Sequence, residues 1–286
     1  MARRRNSERL GAPTPQDTMS PAPMGAETPN SVFSFVTPTE FVDLPSGGRF
    51  YPKEHPLHGV DVVEIRHMTA KEEDILTSES LLKKGLAIDR LLQSVVIDKT
   101  IQIDSLLVGD KNALLMASRI TGFGSLYETT VKCPVCRETN ELVFNLEELG
   151  TRDGSELPEG VTVDDDGHFS FTLPQTGAEL KVRLLTSRDE RNLTQAAEKK
   201  KRMKMPDSRS TDLLKAVVVS VSGHTDPAAL SQFVEMMPLQ DVKHLRTTYE
   251  QIKPDLDIAY PFDCEHCSHE GEVQMPLTAQ FFWPNT

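Results

Sequence analysis

All four cysteines of the chain fall in two Cys-x-x-Cys pairs, Cys133-Pro-Val-Cys136 and Cys264-Glu-His-Cys267, and 127 residues lie between the pairs. Two-residue spacing lets both thiolates of a tight turn face one cation, and two such turns complete a tetrahedral four-sulfur shell. The pattern predicts one zinc site with Cys133, Cys136, Cys264 and Cys267 as ligands. A catalytic zinc keeps one position open for water, whereas four thiolates fill every position, so the expected metal is structural. Treated as a cross-link, it closes a loop whose chain entropy is on the order of 5 kcal/mol. Free or redox-active thiols are the alternative, and His266 and His269 beside the second pair are alternative ligands.

The flanks of the two pairs resemble one another. Counted from the second cysteine, Glu141 matches Glu272, Leu142 matches Val273, Phe144 matches Met275 and Leu146 matches Leu277. Polar and apolar positions alternate, so each turn should lead into a half-buried strand. Val131 and Phe262, each two residues before a first cysteine, place a strand on the entering side as well. Two hairpins sharing a metal make a zinc ribbon, here with halves at 125–148 and 258–286.

The 286 residues are 38% hydrophobic, enough for a substantial core in one or two domains. No run reaches the eighteen or so apolar residues of a membrane span. Met-Ala-Arg-Arg-Arg at the N-terminus has no apolar segment behind it and does not read as a secretory signal. Thiols spaced for metal fit a reducing cytoplasm. A net charge of −12 disfavours nucleic-acid binding as the main task. The local exception, Lys199, Lys200, Lys201, Arg202 and Lys204, suits the C-terminal end of a helix, with an acidic partner or nucleic acid as other readings.

Residues 1–31, rich in Pro, Ser, Thr and Gly, predict a disordered arm. The rest, 32–286, predicts a single α+β body, mainly helical with short hairpins, in which 149–257 is inserted between the ribbon halves. Gly47 and Gly48 should make a tight turn presenting Phe50 and Tyr51. Val60–Ile65 alternates like a strand, and Thr69-Ala-Lys-Glu72 is a capping box for a helix to about Leu82. Ile88, Leu91, Leu92, Val95 and Val96 share one helical face, and a further helix spans Asn112–Ile120 before a strand at Leu126–Lys132. Residues 159–186 read as paired hairpins turning at Asp164-Asp-Asp-Gly167 and Gln175-Thr-Gly177. A second capping box at Ser187-Arg-Asp-Glu190 opens a helical region to Lys253, broken at Pro206 and Gly223.

No catalytic set emerges: there is no Gly-x-Ser-x-Gly elbow, Walker loop or dinucleotide fingerprint, and His269-Glu-Gly-Glu-Val273 lacks a hydrolase's second histidine. The three aspartates at 164–166 lack the ligand spacing of a calcium loop. Near the end, Phe281, Phe282 and Trp283 either pack on the ribbon and fasten the terminus or anchor in a partner's pocket.

Together, Leu44-Pro-Ser-Gly-Gly with Phe50-Tyr-Pro, Gly109-Asp-Lys-Asn112 with Arg119-Ile120, the two cysteine pairs, Leu245-Arg246 with Tyr249, Pro254-Asp-Leu-Asp257, and Pro276-Leu-Thr with Phe281-Phe-Trp-Pro284 resemble a known family. This is the baseplate hub assembly chaperone family of T-even-type tailed bacteriophages. The resemblance runs from about residue 41 to the end, and the long arm before Phe33 departs from it. It implies a non-enzymatic protein of the host cytoplasm that helps hub or wedge subunits of the tail baseplate assemble and then leaves or stays in the particle. Phe281, Phe282 and Trp283, with Phe50 and Tyr51, are the expected partner-binding residues. The competing readings are a permanent baseplate component and a zinc-ribbon regulator that binds nucleic acid.

Overall fold

The computed structural model describes residues 37–275, 277 and 279–282; the expected arm at 1–31 and Trp283 lie outside them. β1 (Thr39–Asp43) and β2 (Val62–Arg66) pair antiparallel, and α1 (Ala70–Thr77), α2 (Glu79–Lys84), α3 (Ala87–Val95) and α4 (Val108–Phe123) follow. The first cysteine hairpin is β3 (Leu126–Lys132) with β4 (Thr139–Asn145), then come β5 (Gly150–Arg152), β6 (Thr162–Val163), β7 (Phe169–Thr172) and β8 (Glu179–Val182). After α5 (Ser187–Arg202) and α6 (Arg209–Val217), β9 (Val218–Val221) completes an antiparallel sheet in the order β6-β7-β8-β9. α7 (Pro227–Met236) and α8 (Leu239–Ile252) precede β10 (Asp255–Asp257), which pairs with β5, and the second cysteine hairpin is β11 (Ala259–Asp263) with β12 (Glu270–Gln274). The architecture is α+β, with eight α-helices and short antiparallel strand pairs among the described residues. None of these helices is long and apolar enough to cross a membrane.

Three local expectations shift. The helix opened by Thr69 stops at Thr77, where Ser78 is extended, and a new helix starts at Glu79. The Thr77 hydroxyl bonds back to the Glu73 carbonyl, the kind of local side-chain bond that competes with helix continuation. The second capping box lies one residue earlier: the Thr186 backbone N–H and hydroxyl donate to Asp189, while Ser187 is buried and donates to the Leu106 carbonyl. The helical region after it is interrupted by a strand, because Val218, Val219 and Val221 are β-branched and meet the open edge of β8.

One continuous core runs through the body, from Val42 and Ile65 through Leu114 and Leu146 to Phe169, Leu245 and Phe282. It encloses carboxylates as well as apolar side chains. Asp110, fully buried at the start of α4, accepts from the Ser46 N–H at 2.9 Å, the Ser46 hydroxyl at 2.6 Å and the Tyr51 hydroxyl at 2.7 Å. Tyr51 oxygen in turn accepts from the Leu107 N–H at 3.0 Å. Burial and the Asp110 carboxylate hold the Tyr51 phenol well above its usual pKa, so it remains a donor. Gly48, at φ +71°, closes the Pro45-Ser-Gly-Gly turn so tightly that a Cβ would lie 2.4 Å from the Val60 nitrogen. Two residues along α4, Asn112 donates to Asp255 at 3.0 Å, and Gly109 lets the Pro254 carbonyl approach where a Cβ would sit 2.0 Å away. The Pro-Ser-Gly-Gly, Gly-Asp-Lys-Asn and Pro-Asp-Leu-Asp segments thus form one buried joint.

A second buried carboxylate, Glu72, ties α1 to α3 and β2. It accepts from Arg66 at 2.7 and 3.0 Å, from the Ser94 hydroxyl at 2.7 Å and from the Thr69 N–H at 2.8 Å. Burial opposes its ionisation, but the Arg66 and Ser94 bonds outweigh that cost and hold its carboxyl well below the usual range. A carboxylate with a depressed folded-state pKa stabilises the fold above its unfolded value of about 4.3, and loses that contribution as pH falls below it. The urea midpoint should therefore drop as pH falls from about 5 to 3. In Glu72→Gln the starting stability should be lower and this slope shallower. Any acid release of metal acts on both proteins alike, so equal slopes would exclude Glu72 as the source.

Candidate metal centre

Each cysteine pair sits in the turn of its hairpin, and the two turns have the same backbone design. The N–H of Cys133 donates to the Glu138 carbonyl at 2.9 Å, and that of Cys264 to the His269 carbonyl at 3.0 Å. Arg137 and Ser268 close the turns back onto the carbonyls of Cys133 and Cys264 at 3.0 and 2.9 Å, both in left-handed conformations, at φ +65° and +52°. Neither is glycine, so each turn carries some backbone strain. The register Val131↔Asn140 in the first hairpin corresponds to Phe262↔Gly271 in the second.

Packing brings the turns face to face. Cys133 Sγ lies 3.7 Å from Cys267 Sγ and Cys136 Sγ 3.6 Å from Cys264 Sγ, and all four sulfurs fall within 4.8 Å of one another. A disulfide would bring a pair to about 2.05 Å. A tetrahedral shell with metal–sulfur bonds of about 2.3 Å has edges of about 3.8 Å. The four thiols are free, spaced as such a shell requires, and able to hold a metal ion. When bound, the cation acts as a cross-link between the hairpins. The two histidines beside Cys267 do not join this cluster of ligands.

The thiols also divide in acidity as a crowded set of acids should. Burial opposes ionisation of Cys264, but the backbone N–H groups of His266 and Cys267, with the Cys136 sulfur, outweigh it and bring this thiol down to about 6. At Cys136 a backbone bond from Glu138 favours the thiolate, yet desolvation and three neighbouring sulfurs prevail and push it up to about 12. One sulfur takes charge readily and another resists; a divalent cation removes that conflict by neutralising the group together.

Around the sulfurs is only a small apolar cluster, Cys133, Cys264 and Phe262 with partly buried Val131, Leu142 and Val273. Side chains nearer the body join the hairpins to each other. The Phe144 and Tyr260 rings lie 4.2 Å apart, the Tyr260 hydroxyl donates to the Asn145 carbonyl at 2.8 Å, and buried Asn140 accepts from the Glu265 N–H at 2.9 Å.

The aromatic residues expected to bind a partner are placed differently. Phe281 and Phe282 are 0% and 1% exposed, and Tyr51 and Phe50 are 1% and 8% exposed, so none of the four presents its ring to a partner. Phe50 packs on Phe169 with centroids 5.2 Å apart, and Tyr51 stacks on His55 at 4.3 Å. Phe281 lies 5.0 Å from Tyr127, and its carbonyl accepts from Arg119 Nε at 3.4 Å. The Arg119 guanidinium lies over the rings of Phe123 and Tyr127 and donates to the Gly124 carbonyl. The two phenylalanines thus fasten the C-terminal segment to the end of α4 and the base of the first hairpin. Phe281→Ala should cost about 3 kcal/mol, within the range for truncating a buried phenylalanine. A urea midpoint close to that of the wild type would show that the ring contributes little.

The other polar cluster able to gather around a cation, Asp164, Asp166 and His168, is a turn. Asp164 accepts the N–H groups of Asp166 and His168 and pairs with Lys181 at 3.0 Å. Sequence reading passed over Asp241, and it gave Asp110 and Glu72 no buried role because burial of a lone carboxylate has no periodic signal. Asp241 accepts the N–H groups of Gln175 and Thr176 from a turn far away in sequence.

The sequence segments that meet at the Asp110 joint and the cysteine pairs are spread along most of the chain, and a match of corresponding length accompanies them. The family model for T4 bacteriophage base plate protein matches residues 37–283. The chain belongs to this family. No curated protein and no solved structure matches it. Membership gives the chain a role in the phage baseplate, with other baseplate proteins as its partners. The family match covers both cysteine hairpins and everything between them.

Proposed function

We propose that the protein is a non-enzymatic assembly factor that binds hub or wedge subunits in the host cytoplasm while the baseplate is built, with a structural zinc ion on Cys133, Cys136, Cys264 and Cys267. The family match is the observation that carries this reading. The deployment of ionisable groups supports it: Asp110, Glu72 and Asp241 are all consumed in holding turns and helices in place. Zinc is favoured over other cations by four thiolate donors in tetrahedral spacing. Metal analysis of the purified protein should return one zinc per chain.

The deciding experiment compares phage made with and without this protein, and measures its amount in purified particles by mass spectrometry. An assembly factor is required for complete baseplates yet is missing or substoichiometric in finished particles. A fixed integral copy number in those particles would overturn the factor reading in favour of a permanent component.

A further inference from the structure

The helix α5 is anchored unlike its neighbours. α4 and α5 are both 16 residues long, but α4 buries ten of its residues and α5 buries only Ser187, at its first position. From Leu193 to Arg202 it lies proud of the body with an open cleft along each flank. One cleft, about 700 Å³, is floored by Leu193, Ala197 and Leu213 and closed at its end by Met205. The other, about 910 Å³, lies between α5 and the α2–α3 corner, with Leu82, Leu86, Ile88 and Leu277 in its walls. Met203 and Met205, 61% and 50% exposed, stand at the tip between them. Flexible thioethers of this kind adapt to a partner's surface.

This apolar relief carries a charge opposite to that of the molecule. Five of the chain's 31 Lys and Arg residues fall within Lys199–Lys204, in a protein of net charge −12. Lys200 is used internally, bonding Asp212 at 2.7 Å, and Arg202 pairs at the surface with Glu198. Lys84, Lys199, Lys201 and Lys204 enter no ion pair among the described residues. Helix-dipole compensation accounts for cations in a last turn. It does not account for the apolar clefts on both sides of them.

We infer that the distal half of α5 and its two flanking clefts form a docking surface for an acidic, leucine-bearing segment of another baseplate protein. This deepens the assembly reading and rests on it. Charge complementarity selects the occupant: apolar side chains enter the clefts while carboxylates meet the free lysines. A nucleic acid fits less well, because neither cleft is lined by an aromatic side chain on which its bases could stack.

The test places the photo-crosslinker p-benzoyl-phenylalanine at exposed Thr194 in the full chain, or at exposed Met236 on α7 as a control, and co-expresses each protein with the other baseplate subunits of the same phage. Cross-linked peptides are sequenced, and subunit co-purification is quantified for wild type and for the combined Lys199→Glu, Lys201→Glu, Lys204→Glu variant. The inference expects cross-links from Thr194 into an acidic segment of one subunit, and about a tenfold or greater loss of that subunit in the charge-reversed variant, whose melting temperature stays unchanged. Co-purification that survives charge reversal, with cross-links only from Met236, would overturn the docking surface and leave the assembly reading standing. Failure of wild type to retain any baseplate subunit would overturn both. Nuclease-sensitive cross-links would reassign the surface to nucleic acid.

Discussion

Replacing Cys133 or Cys264 with serine should destabilise the protein by at least about 5 kcal/mol, enough to unfold the hairpins and lower the solubility of the whole chain. Two costs combine. Losing the cross-link releases a loop spanning the entire middle of the molecule, and losing the metal removes what neutralises thiols held within 4.8 Å of one another. The local apolar cluster of Phe262, Val131, Leu142 and Val273 is too small to replace it. Domain stabilities of about 5–15 kcal/mol leave little margin for such a loss. A chelator with reductant should impose the same fall in melting temperature on wild type and have almost no further effect on the serine variants. A Cys133→Ser protein that kept its midpoint and solubility would refute the structural role of the site.

Asp110→Ala should cost about 4 kcal/mol, within the range for removing one partner of a buried charged network. The substitution strips acceptors from the Ser46 N–H, the Ser46 hydroxyl and the Tyr51 hydroxyl in one step. The donors are closed off from bulk solvent, since Ser46 is fully buried and Tyr51 is 1% exposed. Tyr51 also holds the Leu107 N–H at the start of α4, so the loss should spread to that helix end. Asp110→Asn should lose less, because it keeps the shape and one acceptor. Urea denaturation measures both, and a loss below about 1 kcal/mol for alanine would show that the network is not the fastening we describe.

Legibility in the sequence followed the range of the interaction. The hairpins around Cys133 and Cys264, the turn at Asp164–Gly167 and the apolar face of α3 formed where alternation or helical spacing placed them, and the strand expected at Val60–Ile65 formed at Val62–Arg66. Each depends on residues a few positions apart. The cysteine pairs were legible over a longer range only because spacing, residue type and count together fit one common cation. For Phe281 and Phe282 the sequence left packing on the ribbon and anchoring in a partner both open, and it placed Phe50 and Tyr51 on a presenting turn, because three adjacent aromatics, or two after a glycine turn, look the same in sequence whether they face solvent or a receptive interior. What buries Phe281 is Arg119 and Tyr127, more than 150 residues away.

The sequence by itself determined the four thiols able to hold a metal, the two hairpins that carry them, the cap of α1 and the α+β class, since these follow from local backbone preference and ligand chemistry. Tertiary structure alone decided the pairing of β5 with β10 and the joint in which Asp110 gathers Ser46 and Tyr51. It also left α5 under-packed, with its lysines beside two apolar clefts. The physical reason is that burial and charge pairing depend on which surfaces the folded chain brings together, and no pattern of neighbouring residues encodes that choice.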